Sequence, residues 1–304
     1  MLTKPLPPPF APAGWYADPY IAGGQRWWDG RWWTDHVSPT APTSPVVEPA
    51  ARVSPTAPAS PVVESAAPTF PVGVGLAAIV ILYASLLVER LVLTASGITD
   101  VMHPGPLLVV VVAIAYGPSV AFSLFAAVHW GKVHPVEALG ARLRAIDFAW
   151  GPATWLAILT GQIAVGLFIR LTHIPTASNL PAVKEGQVPG AGFALLAVVG
   201  VVIAPLAEEL VFRGVVLRAF RSRLPLVGAA VAQGAFFAAA HMQPAFGLGN
   251  IGLFIVLLWA GSALGVAAGR FRRIWPGIFA HALINSVAFL VLYGQTYWHW
   301  RFKG

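Results

Sequence analysis

Residues 191–214 read AGFALLAVVGVVIAPLAEELVFRG, an apolar run that passes for an ordinary membrane helix until it reaches Glu208, Glu209 and Arg213. Each carboxylate at the centre of a bilayer costs roughly 2.5–3.5 kcal/mol, so a sequence that carries two side by side needs a partner or a use for them. Glu209 and Arg213 are four residues apart, on one helical face, and can pair. Glu208 lies about 100° further round the helix and points elsewhere, free to act.

Two later segments carry polar groups that suit those carboxylates. In Gln233-Gly-Ala-Phe-Phe237-Ala-Ala-Ala-His241 the residues Gln233, Phe237 and His241 are spaced by four, which stacks an aromatic ring one turn below an imidazole. In His281-Ala-Leu-Ile-Asn285 an imidazole and a carboxamide are again spaced by four. Polar groups so isolated in apolar helices must face the interior of a bundle or a wet cavity, and there they can converge.

The rest of the chain supports a membrane setting. Of 304 residues 57% are hydrophobic and 10% charged, against about a quarter charged in soluble domains. Seven apolar segments are long enough to read as spans: 71–93, 104–130, 150–171, 191–212, 226–242, 251–269 and 274–292, the fifth being the shortest. Gly117-Pro118 should kink the second without ending it. The fold class is therefore all-α, a polytopic transmembrane helical bundle of seven spans, an eighth being the alternative. Basic residues gather in the N-terminal region and in the second, fourth and sixth connections, which hold Lys132/Arg142/Arg144, Arg218/Arg221/Arg223 and Arg270/Arg272/Arg273. By the positive-inside rule the protein is a multi-pass cell-membrane protein with a cytoplasmic N-terminus, and with seven spans its tail lies outside. Arg301 and Lys303 on that tail weigh the other way.

The net charge of +7 follows this topological pattern, so no nucleic-acid partner is expected. Zero cysteines exclude thiolate nucleophiles and disulfides. Neither Gly247-Leu-Gly-Asn250 nor Gly261-Ser-Ala-Leu-Gly265 has the context of a nucleotide loop, and Gly261 and Gly265 suit close helix packing. His103, His129, His134, His173 and His299 lack carboxylate neighbours or lie at loop edges.

Five regions follow: a Trp-rich module at 1–36, a Pro/Ala/Ser/Thr-rich linker at 37–70, N-terminal transmembrane helices at 71–190, a catalytic core at 191–295 and a tail at 296–304. The linker holds a tandem repeat, VSPTAPTSPVVEPAAR then VSPTAPASPVVESAAP, whose prolines forbid helix. The module carries GWYADP, RWWDG and WTDH, enough tryptophan for a small hairpin stacked on its own rings and a candidate site, residues 14–36, for a protein partner.

Taken together, Glu-Glu-x-x-x-Arg, Phe-x-x-x-His and His-x-x-x-Asn on three apolar helices resemble the signature of the CPBP family. This family comprises intramembrane CAAX-type proteases and bacteriocin-processing or immunity proteins, and the similarity covers roughly residues 193–289. The resemblance implies a helical bundle with a cavity open to one side of the membrane. In it Glu208 and His241 activate water, His281 and Asn285 stabilise the oxyanion, and Glu209, Arg213 and Phe237 support the site. The implied activity is endopeptidase cleavage of a membrane-associated peptide or protein substrate, CAAX-like or not, in the lipid bilayer. A catalytically inactive scaffold or immunity protein of the same fold is the alternative. Glu208, His241 and His281 also form a chemically suitable ligand set for Zn2+; without His-Glu-x-x-His, glutamate and metallo-endopeptidase chemistry both stand. The module resembles a domain of unknown function with the pattern GWYPDP, RWWDG and WTxH, departing from it at Ala17.

One geometric conflict needs resolving. With straight spans, Glu208 and His281 lie roughly 8–10 Å from the cytoplasmic edge and His241 sits in the outer half. Convergence requires tilt, a break, or an extension of the fourth helix through residues 213–224.

Overall fold

The computed structural model describes residues 13–18, 24–29, 33–38, 69–96, 107–178 and 190–297. The chain forms two compact units, Met1–Val63 and Glu64–Gly304. The repeat at 39–68, the tail at 298–304, His103, Lys184, Pro19, Gly30 and Arg31 lie outside the described residues.

In the first unit three short strands, β1 (Gly14–Ala17), β2 (Gln25–Trp28) and β3 (Trp33–Ser38), form an antiparallel sheet in the order β1-β2-β3. Trp15 stands opposite Trp27 with ring centroids 5.5 Å apart, and Trp28 opposite Trp33 at 5.4 Å, both edge to face. Cross-strand ring pairs of this kind supply the burial that so few residues otherwise lack. Arg26 crosses the sheet, donating from Nε to Asp18 at 3.1 Å and from Nη1 to the Thr34 carbonyl at 3.0 Å.

The second unit is a polytopic helical bundle. Its helices are α1 (Val72–Ala95), α2 (Leu107–Trp130), α3 (Asp147–Leu171), α4 (residues 190–220), α5 (Leu226–Ala239), α6 (Gly249–Phe271) and α7 (Trp275–Tyr297). All but α5 are long and apolar enough to cross a membrane. With 14 residues, α5 is about 21 Å long, short of a hydrocarbon core about 30 Å thick. Pro225 precedes it and Pro244 opens a 3-10 turn soon after it. As the sequence predicts, Pro118 lies inside α2 without ending it.

The basic connections meet at one end of the bundle. Arg218 Nη2 donates to the Arg272 carbonyl (3.2 Å), the Ile274 N–H to Gly140 (2.9 Å), and the Trp275 indole N–H to Ala141 (2.7 Å). Arg273 reaches the fully buried Asp147 at 2.7 and 2.9 Å, and Asp147 also accepts the Arg144 N–H at 2.9 Å. The start of α1 lies there too, because a Cβ on Gly75 would come within 2.6 Å of the Ala219 Cβ.

The fourth span departs from a straight helix that stops at Phe212. It continues through the basic stretch to Phe220 and contains two π-helical stretches, Val199–Ile203 and Leu210–Val216, on either side of Ala204–Glu209. Glu208 thus lies twelve residues, about 18 Å, from the end of α4, and His241 fifteen residues, about 22 Å, from the start of α5. The extension removes the depth conflict.

Asp147 clamps the start of α3 to the α6–α7 connection, so Asp147→Ala should cost about 3 kcal/mol by leaving Arg273 without its carboxylate. Thermal unfolding in detergent should show this as a drop of several degrees, and Asp147→Ala with Arg273→Met should lose less than the two single changes added together.

Candidate active site

The site grows from the α-helical turn between the two π-helical stretches, which are over-represented at functional positions because they re-aim side chains. Glu208 and Glu209 are both buried there, and they diverge. Glu209 is fully buried and turns toward Arg213, whose Nη1 lies 2.9 Å from its Oε1. This is an ion pair whose N–H is not aligned for a hydrogen bond. His281 Nδ1 approaches the same oxygen at 3.2 Å.

Three features let charges sit in so apolar an interior. Arg213 Nη2 donates to the Gly261 carbonyl at 3.1 Å, an acceptor shared with Gln233 Nε2 at 2.6 Å. That carbonyl is reachable because α5 and α6 cross closely: a Cβ on Gly261 would lie 3.0 Å from the Phe237 ring and 3.1 Å from the Gly234 Cα. Phe237 offers its face to the guanidinium, whose Cζ is 4.7 Å from the ring centroid, a cation–π contact. On α7, Gly277 leaves room for Glu209, since a Cβ there would meet Oε2 at 2.7 Å.

Glu208 faces another way. Its Oε1 accepts from the Tyr116 hydroxyl of α2 at 3.0 Å, and its Oε2, buried and without a hydrogen-bond partner among the described residues, lies 3.9 Å from His281 Nε2. The imidazole contacts define the tautomer. A carboxylate can only accept, so His281 carries its proton on Nδ1 toward Glu209, and in the neutral ring Nε2 presents a lone pair on the Glu208 side. His241 follows the same logic: Nδ1 lies 2.8 Å from the Phe237 carbonyl and donates to it, leaving Nε2 as the basic nitrogen.

The helices therefore bring together Glu208, Glu209, Arg213, Phe237 and His281. His241 joins through Phe237, whose centroid is 4.8 Å from the His241 ring and 5.8 Å from that of His281. Asn285, one turn beyond His281, donates from Nδ2 to the Gly200 carbonyl in the first π-helical stretch at 2.6 Å. Among the described residues no three His, Asp or Glu side chains gather closely enough to hold a metal. Tyr116 is the residue that motif spacing missed, and its signal was a phenol inside an apolar run just ahead of Gly117-Pro118.

A buried carboxylate beside one imidazole, with a second imidazole on the other side of the Phe237 ring, thus lies inside a bundle most of whose helices are long enough to cross a bilayer. Residues 190–287 match the family model described as type II CAAX prenyl endopeptidase Rce1-like. Over this stretch the chain is similar to the CPBP/CAAX proteases, CAAX-type intramembrane endopeptidases. Residues 13–46 match the protein of unknown function DUF2510. No curated protein and no solved structure matches the chain.

Removing the guanidinium leaves Glu209 buried without its principal cation. Arg213→Met should therefore destabilise the protein by about 3–5 kcal/mol, whereas Glu209→Leu combined with Arg213→Met should recover most of the loss; thermal unfolding of the three variants checks this.

Proposed function

We propose that the chain is a membrane-embedded endopeptidase that cleaves a peptide bond of a membrane-associated, CAAX-like substrate using a water activated by Glu208 and His241. The observation that carries this reading is the Glu208 carboxylate, with one oxygen held by Tyr116 and the other unpartnered 3.9 Å from His281 Nε2. Glu208 Oε2 is closed to solvent in this structure, so the side chains around it must part to admit a water that bridges the two atoms.

Glu208 takes a proton from this water as its oxygen attacks the substrate carbonyl. The carbonyl becomes a tetrahedral oxyanion, which receives a hydrogen bond from Asn285, through the amide proton not used by Gly200, with His281 beside it. The proton held by Glu208 or His241 then passes to the leaving amine, and the C–N bond breaks. Tyr116 holds Glu208 in the rotamer that presents Oε2, while Glu209, Arg213 and Phe237 position His281.

Glu208, His241 and His281 are the side chains that would hold a zinc ion. The first and third are adjacent and the second is not part of a three-ligand cluster, so the steps above use protein groups alone. A chelator distinguishes the two chemistries. Activity lost to chelator and restored by zinc assigns a metalloprotease, and activity indifferent to chelator assigns a glutamate protease.

The basic end of the bundle, and the N-terminus with it, is assigned to the cytoplasmic side of the cell membrane by the positive-inside rule. Residues 14–36 are assigned the recruitment of a protein partner or substrate. Turnover of the native substrate should then fall on removal of residues 1–68 while cleavage of short peptides persists.

Purified protein and a panel of prenylated and unprenylated peptides test the chemistry. Glu208→Ala and His241→Ala should each lower kcat at least about 100-fold, and Tyr116→Phe should lower kcat about tenfold with KM little changed. Equal cleavage by wild type and the Glu208 variant would remove Glu208 from the mechanism. Because the natural chain has zero cysteines, Ser222→Cys, exposed between α4 and α5, reports sidedness directly. A membrane-impermeant maleimide should label it in inverted vesicles and not in intact cells.

A further inference from the structure

On the side of α6 that faces α3 and α5, the bundle carries an open furrow of about 770 Å³. Both α3 and α5 pack on α6 but make no substantial contact with one another, and the trough is the gap between them. Its walls come from helical stripes: Trp150 and Ala157 on α3, Val231 on α5, and Trp259, Ala263 and Arg270 on α6. Apart from Thr154, Ser262 and Arg270 the lining is apolar, and the Trp259 indole N–H is already satisfied by the Ile158 carbonyl at 3.0 Å. On α6 the lining residues Ile255 and Arg270 lie fifteen positions apart, or about 22 Å of helix.

Two physical properties narrow the occupant. The first is shape: the trough follows about 22 Å of α6 with an almost wholly apolar lining, which suits an acyl chain laid along the helix. The second is charge. Arg270 is the only charged group on the lining, is exposed, and has no hydrogen bond or ion pair among the described residues. It stands beside Trp150 and Phe271, whose rings are 4.9 Å apart, at the end where Arg272 and Arg273 also lie. Of the acids at that end, Asp147 is held by Arg273 at 2.7 Å and Glu137 lies 3.7 Å from Arg142. A cation and an indole at one mouth of a greasy slot match an amphiphile with an anionic head and an extended tail.

We infer that this furrow is a binding site for one anionic glycerophospholipid, with its phosphate head on Arg270 and an acyl chain along α6 between α3 and α5. The lipid enters sideways from the leaflet that meets Arg270 and completes the wall between α3 and α5. The inference is independent of the proteolytic reading, because none of the groups assigned to hydrolysis lines the furrow.

Native mass spectrometry of the full-length protein in detergent tests it. The probes are dioleoylphosphatidylglycerol, dioleoylphosphatidylcholine and glycerol 3-phosphate. The wild type should retain one phosphatidylglycerol about fivefold more tightly than phosphatidylcholine. Arg270→Gln should abolish that preference, and Ala157→Leu and Ala263→Leu, which fill the slot at two different places, should weaken retention of both lipids. Thermal unfolding of each variant identifies any that fails to fold, and Arg270→Gln carries the test if both filling variants do. Equal retention of the two lipids by the wild type, or an unchanged preference in Arg270→Gln, would overturn the proposal. So would displacement of phosphatidylglycerol by glycerol 3-phosphate, which would mark a head-group site without a tail slot.

Discussion

The side chain of Glu209, wholly removed from solvent inside an apolar bundle, is the constraint around which the helices of the site are arranged. An isolated buried carboxylate is unfavourable by several kcal/mol even after relaxation, and opposite charge repays that only where the geometry is close and the remaining donors are satisfied. Arg213 supplies the charge and His281 a hydrogen bond. Arg213 Nη2 donates to the Gly261 carbonyl and the face of Phe237 covers the guanidinium, while Nε and Nη1 have no hydrogen-bond partner among the described residues. Each of these groups comes from a different helix, so placing one charge fixes how α4, α5, α6 and α7 pack.

Consequences for reactivity follow from the same arrangement. Because Glu209 occupies His281 Nδ1, the nitrogen left for chemistry is Nε2, and it is turned toward the neighbouring carboxylate. Because Glu208 is relieved of any ion-pairing duty to Arg213, it needs only a neutral donor, and Tyr116 provides one. Two adjacent glutamates on one helical turn thus acquire different surroundings, one paired with Arg213 and one held by a phenol, and the proposed mechanism gives the second the reactive role. This is the division by environment that tunes carboxylate pairs in other hydrolytic sites.

Much of this was legible in the sequence. The i,i+4 spacing of Glu209 and Arg213 announced their pairing, and Phe237 and His241 were placed together by the same rule. Apolar length and charge clustering gave the helical bundle, and the shortness of the 226–242 segment foreshadowed α5. Other parts were not legible, for physical reasons. Spacing rules assume a regular α-helix, so they could not show that α4 contains two π-helical stretches and runs on to Phe220. Tyr116 lies 92 residues from Glu208, and its phenol gives no periodic signal that ties it to a carboxylate. The Asn285 amide was expected at the oxyanion, and its observed partner, the Gly200 carbonyl, is an acceptor that sequence cannot single out.

The claim on which the functional account turns is that Glu208 activates water and does not itself attack the peptide. Single-turnover cleavage in water enriched in the heavy oxygen isotope, followed by mass spectrometry of the products and of the enzyme peptide that contains Glu208, addresses it most directly. The account predicts one heavy oxygen in the newly formed substrate carboxyl and none in Glu208. Heavy oxygen in the Glu208 carboxyl, or an unlabelled new carboxyl, would contradict it.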